Sequence, residues 1–102
     1  IQDSIILSTK EKTIQKGVIF KVQIITSLDE KKIAPILNFN VDVYKEKNMF
    51  KYTVGNESVY EKINKIKKIA IENGYEDAFI VAFLNDKKIS ISDALTYQKQ
   101  LK

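Results

Sequence analysis

The side chains best suited to proton transfer and nucleophilic attack are missing from this chain. Its 102 residues include no histidine and no cysteine. That removes imidazole relays, thiolate nucleophiles, disulfides and zinc sites built on Cys or His. Ser and Thr hydroxyls remain, but a hydroxyl nucleophile needs an adjacent base, which here falls to lysine. Neither a Ser-x-x-Lys helix start nor a Gly-x-Ser-x-Gly elbow occurs. Asp42, Glu46, Glu76, Asp77 and Asp86 fall at predicted strand ends and turns, where carboxylates are ordinarily just hydrated. Glu76 and Asp77 are sequence neighbours, not two acids facing each other across a cleft, as glycosidic cleavage needs. Gly17, Gly55 and Gly74 are too dispersed for a phosphate loop. The residues point to a module without enzymatic activity, metal or cofactor.

What they do offer is binding chemistry. Lys21 and Gln23 on one predicted strand, with Lys51 and Thr53 on another, project opposite to an apolar stripe. Such a row can exchange hydrogen bonds with sugar hydroxyls and amides. An ordinary solvated sheet face has the same pattern. Tyr44, Phe50, Tyr52, Phe79 and Phe83 also lie on predicted strands. A Lys-bearing aromatic sheet can stack nucleic-acid bases, but core packing explains most of these rings. All 17 basic residues are lysine, against 13 acidic ones, for a net charge of +4. Arginine is the preferred bidentate reader of phosphate and guanine. Its absence argues against specific nucleic-acid recognition and leaves weak, salt-sensitive contact at most.

The elements that must carry these residues can be read from periodicity. Val18 to Thr26 is rich in β-branched residues. Phe20, Val22 and Ile24 fall on one face, and Lys21, Gln23 and Ile25 on the other. Ser27-Leu28-Asp29-Glu30 fits a capping box, and Pro35 limits any helix there to about two turns. Val41–Tyr44 and Met49–Val54 alternate as two strands around a turn at 46–48. Ser58-Val59-Tyr60-Glu61 is a second capping box. Val59, Ile63, Ile66 and Ala70 then form one stripe of a helix over 59–73, stopped by Asn73-Gly74. Ala78–Phe83 reads as an apolar strand, Lys87–Ile91 as a short last strand, and Ser92 as the cap of a final helix to about Lys99. The expected architecture is α+β in two layers, a mostly antiparallel sheet with helices on one face and the other face open.

Residues 1–16 pair an apolar Ile5-Ile6-Leu7 with a polar stretch. They are expected to be a tether or an edge segment ahead of one domain over 17–102. The start at Ile1 suggests a processed protein or a fragment. No apolar run is long enough to be a transmembrane helix.

The ordered set of segments resembles SPOR (sporulation-related repeat) domains, specifically the Bacteroidetes type. Phe20-Lys21-Val22-Gln23-Ile24 resembles the family's first strand. Lys51-Tyr52-Thr53-Val54-Gly55 resembles its third strand, and Ser58–Ile63 the start of its main helix. Gly74–Phe83 resembles the helix stop and fourth strand, and Asn85–Ile89 the closing hairpin. The resemblance implies an RNP-like β-α-β-β-α-β fold, here with an extra C-terminal hairpin strand and short helix. It implies non-catalytic binding of peptidoglycan glycan strands that lack stem peptides. It also implies a periplasmic or cell-envelope location and tethering to a larger envelope protein, with roles in the wall or at the division septum. In that family the open sheet face binds glycan. Gln23 matches its first-strand Gln, Thr26 a small polar position three residues later, and Lys51 an exposed third-strand contact. Together with Lys21 and Thr53 these are the expected glycan-binding residues. The alternative is a protein–protein interaction module of the same fold, using a free strand edge.

Overall fold

The computed structural model describes residues 17–33 and 39–100. Seven elements follow in the order β1 (Val18–Ser27), β2 (Val41–Glu46), β3 (Met49–Glu57), α1 (Tyr60–Glu72), β4 (Phe79–Leu84), β5 (Lys87–Ile89) and α2 (Ile91–Gln100). The strands form one antiparallel sheet in the order β2-β3-β1-β4-β5. The α+β expectation is met.

The core lies between the sheet and the helices. Phe20 and Val22 of β1, Val54 of β3 and Ala82 of β4 are cross-strand neighbours on one face. They pack on Ile63, Ile66 and Ala70 of α1 and on Ala94 of α2. Phe20, Val22, Ile63, Ala82 and Ala94 are completely buried. Both helices therefore sit on the same face of the sheet. An edge-to-face contact between Phe20 and Tyr60, centroids 5.4 Å apart, fixes the start of α1 over β1.

Two tight hairpins set the register of the sheet. Lys47-Asn48 joins β2 to β3 and Asn85-Asp86 joins β4 to β5, all four residues having positive φ. That backbone twist matches the twist of the flanking strands. Helix α1 ends as expected. The Tyr75 N–H donates to the Ala70 carbonyl and the Gly74 N–H to the Ile71 carbonyl, each at 3.1 Å. Gly74 has φ of 101°. This is a Schellman motif, and its left-handed residue is the reason for glycine there.

Three local expectations are corrected. The capping box at Ser58 does not form: Val59 occupies the N-cap position and makes no side-chain cap. The last helix is capped by Ser90, not Ser92. The Ser90 hydroxyl accepts the Asp93 N–H at 3.0 Å, so β5 stops at Ile89 and Ile91 opens the helix. No helix begins at Ser27. Its hydroxyl accepts the Asp29 N–H at 3.2 Å, a local turn, and residues 30–33 are irregular. A serine two residues from an amide can close a turn as readily as it caps a helix. Pro35 and the expected tether over residues 1–16 lie outside the described residues.

Candidate functional site

The face of the sheet away from the helices is shaped by two irregularities in the β1–β3 pair. Phe20 pairs with Glu57 and Val22 with Val54, so β3 carries one extra residue beside Gly55. Gln23 pairs with Thr53 and Ile25 with Tyr52, so β1 carries one extra residue beside Ile24. β-Bulges bend a strand and increase its twist. At the first, Gly55 has φ of 84°, and a Cβ there would lie 2.8 Å from the Ile63 Cδ1. The sequence has glycine at a point where both backbone and packing demand it.

The second bulge decides which residues share the face. Strict alternation sends Gln23 and Thr26 to opposite sides. With one extra residue between them, Thr26 pairs with Lys51 while Gln23 pairs with Thr53. Lys51 and Thr53 are two apart on β3 and share a face, so Gln23 and Thr26 do too. The Gln23 Nε2 donates to the Thr26 hydroxyl at 2.9 Å.

The sheet curls around this face. Tyr44 on β2 lies three strand positions away from Phe83 on β4, with β3 and β1 between. Their rings nonetheless meet edge to face with centroids 5.3 Å apart. The Tyr44 hydroxyl donates to the Gln23 Oε1 at 2.8 Å. Lys21 places its Nζ 5.5 Å from the centre of the Phe83 ring, and Lys88 places its own 5.9 Å from that of Tyr44. Both are within cation–π range. At the rim, Glu46 of β2 accepts from Lys51 of β3 and, at 3.1 Å, from Lys88 of β5. The Glu46–Lys88 pair spans the two edge strands of the sheet.

These charges tune one another. Hydrogen bonds from Lys51 and then Lys88 hold the Glu46 carboxyl below its ordinary pKa. Partial burial pulls Lys88 down, but its bond to Glu46 and the nearby charges outweigh this, and its pKa is raised overall.

Among the described residues no helix covers this face, yet the expectation of an open platform is corrected by the curl. Gln23 and Thr53 are only 3% and 1% exposed. Gln23 has both its amide oxygen and nitrogen engaged within the protein. Thr26 is exposed, while Lys21 and Lys51 are half-buried, Lys51 occupied by Glu46. The five expected residues do come together, but as a buried floor (Gln23, Thr53) and a rim (Lys21, Thr26, Lys51). Tyr44, Glu46, Phe83 and Lys88 complete the site. Asp42, Tyr44 and Glu46 alternate on β2, which was the sequence signal that β2 also faces this side. The curl that brings Phe83 and Lys88 to them had none.

Two hollows flank the Gln23 floor. One, of about 160 Å³, is lined by Lys21, Asp42, Tyr44, Thr53 and Phe83 with Ile19 and Asp86. The other, of about 220 Å³, is lined by Gln23, Thr26, Asp77 and Phe79 among others. Each is smaller than the usual enclosed small-molecule pocket of roughly 300–1,000 Å³. Among the described residues there is no group of three or more acidic side chains able to hold a metal ion and no helix long and apolar enough to cross a membrane.

Comparison with protein-family models, curated proteins and solved structures finds no match to this chain.

Proposed function

We propose that the concave face binds peptidoglycan glycan strands lacking stem peptides, without catalysis, as a SPOR-like module that holds a larger envelope protein at the wall or septum. The observation that carries this reading is the pair of shallow hollows laid end to end along β1. Lys21 and Thr26, which mark them, are five residues apart, or about 13 Å along the strand once the bulged residue is discounted. Shallow sites in a row suit successive units of an extended polymer better than one enclosed ligand. The strand order β2-β3-β1-β4, with α1 crossing from β3 to β4, supports the RNP-like reading, because a split β-α-β arrangement interleaves its strands in this way.

The roles follow from burial. Tyr44 and Phe83 offer ring surface to the apolar faces of sugars. Lys21 and Thr26 reach hydroxyl and amide groups. Gln23 and Thr53 shape the floor, and Gln23 holds Tyr44 in place. Lys51 is available only when Glu46 releases it. Such contacts are wet and shallow, so affinity for short ligands is on the order of micromolar or weaker. The module works in the periplasm or cell envelope, tethered to the rest of its parent protein.

Sedimentation with cell-wall sacculi tests the reading. Amidase-treated sacculi retain the parent protein, untreated sacculi retain less, and a Lys21→Ala, Phe83→Ala double variant is released. Equal retention of variant and parent rejects this face as the binding site. Loss of neither, with co-purification of a protein partner, favours the interaction-module alternative.

A further inference from the structure

A second concavity lies on the helical side and takes no part in the proposed glycan site. It has a volume of about 740 Å³, between the start of α1 (Ser58, Val59, Tyr60) and α2 (Leu95, Thr96, Gln98). Its walls carry two exposed aliphatic side chains, Val59 and Leu95, each 41% exposed. The Gln98 Nε2 donates to the Ser58 carbonyl at 2.7 Å and ties the two walls together. Helix α2 buries only Ala94, which leaves Leu95 turned toward this groove.

We propose that the groove is the docking site for the chain's own N-terminal segment Ile5-Ile6-Leu7. Topology places the entrance of that segment at the right end of the molecule. Phe20 pairs with Glu57 and Val18 with Leu84, so the start of β1 lies beside the end of β3, from which Ser58 leads directly into the groove. Phe20 also touches Tyr60, a groove residue. Gly17 is fastened at this end by Asn85, whose Oδ1 accepts its N–H at 3.0 Å and whose N–H reaches its carbonyl at 3.3 Å. The nine residues 8–16 span up to about 30 Å when extended, twice the roughly 15 Å length of a ten-residue helix such as α2. Ile5-Ile6-Leu7 is the only run of three aliphatic residues in the first 17 positions, so it is the part of this stretch with apolar surface to hide. The first turn of α1 has no side-chain cap, and Asp3, two residues ahead of the triplet, brings a carboxylate of the sign that a helix start favours. Docking would fix the direction in which the tether leaves the domain.

The absence of cysteine makes the test direct. Ser8→Cys gives the full chain one thiol for a nitroxide spin label, next to the triplet but outside it. The expected result is loss of most of the amide NMR intensity at Val59, Leu95 and Thr96, unchanged on dilution into excess unlabelled chain. Adding Ile6→Asp, or separately Leu95→Asp at its exposed site, restores that intensity while the dispersion of the spectrum stays the same. Broadening without preference for the groove, or centred on Tyr44 and Phe83, overturns the proposal. So does broadening that disappears on dilution, which would place a second copy in the groove.

Discussion

Tyr44 and Phe83 touch across a sheet in which two other strands separate them. Three steps of about 4.8 Å would put their backbones roughly 14 Å apart in a flat sheet, yet their ring centroids are 5.3 Å apart. Two bulges in the β1–β3 pair, one at Gly55 and one at Ile24, account for the curl. The same curl buries Gln23 and Thr53 and turns a flat polar face into a concave one with a charged rim.

Tyr44→Phe keeps the ring contact but removes the donor to Gln23 Oε1. That oxygen is buried, and an unsatisfied buried acceptor costs about 1–3 kcal/mol. Chemical denaturation should show a loss in this range with an unchanged slope. A variant as stable as the parent would mean that water reaches Gln23 freely.

Gly55→Ala introduces a Cβ 2.8 Å from Ile63 Cδ1 at a residue with positive φ. Both steric terms oppose it, and the loss should exceed about 1 kcal/mol. The curl depends on this bulge, so the Tyr44–Phe83 contact should loosen too. The measurement is the thermal midpoint together with ring-current shifts of the Phe83 neighbours. A neutral Gly55→Ala would contradict the bulge as a structural requirement.

Ser90→Ala removes the cap of α2 and should cost about 1 kcal/mol. Ser58→Ala should cost much less, because Val59 holds the N-cap position of α1. Comparing the two by denaturation separates real caps from sequence look-alikes; an equal loss would contradict the assignment.

The clasp between Glu46, Lys51 and Lys88 gives a pH dependence with a definite sign. The folded-state pKa of Glu46 lies below the ordinary carboxylate value of 4.5. Its contribution is therefore present above that value and is lost as pH falls through the folded pKa. Lys88 is raised above 10.5, so its share is complete below that value and is lost as pH rises through its folded pKa. The Glu46 side chain is 31% exposed and Lys88 33%, so the whole effect should be small, about 0.2–1 kcal/mol. Glu46→Gln should remove the acid-side part and free Lys51 for ligand. An acid limb of stability that is unchanged in Glu46→Gln would place the titration elsewhere.

Much of this fold can be read from residue patterns. The β-branched run of β1, the stripe Ile63, Ile66, Ala70 and the Asn73-Gly74 stop each carry a local signal that packing then reinforces. The misreadings cluster where two local solutions compete. Ser27 and Ser58 both head a capping-box sequence, and neither caps a helix. The site was half legible. Alternation placed Lys21, Gln23, Lys51 and Thr53 on one side. A single inserted residue at a bulge leaves no mark on composition, so alternation sends Thr26 to the wrong face and cannot foresee that Gln23 would be enclosed. The meeting of Tyr44 with Phe83 depends on sheet curvature, a property of several strands together that no single segment encodes.

The most direct test of glycan recognition on the concave face is an NMR titration with soluble peptide-free glycan chains. Shift changes should concentrate on Lys21, Thr26, Tyr44 and Phe83 and saturate at micromolar or weaker affinity, and they should vanish in the Lys21→Ala, Phe83→Ala variant. Shifts confined to the α1–α2 groove or the β2 edge, or none at all, would contradict the account.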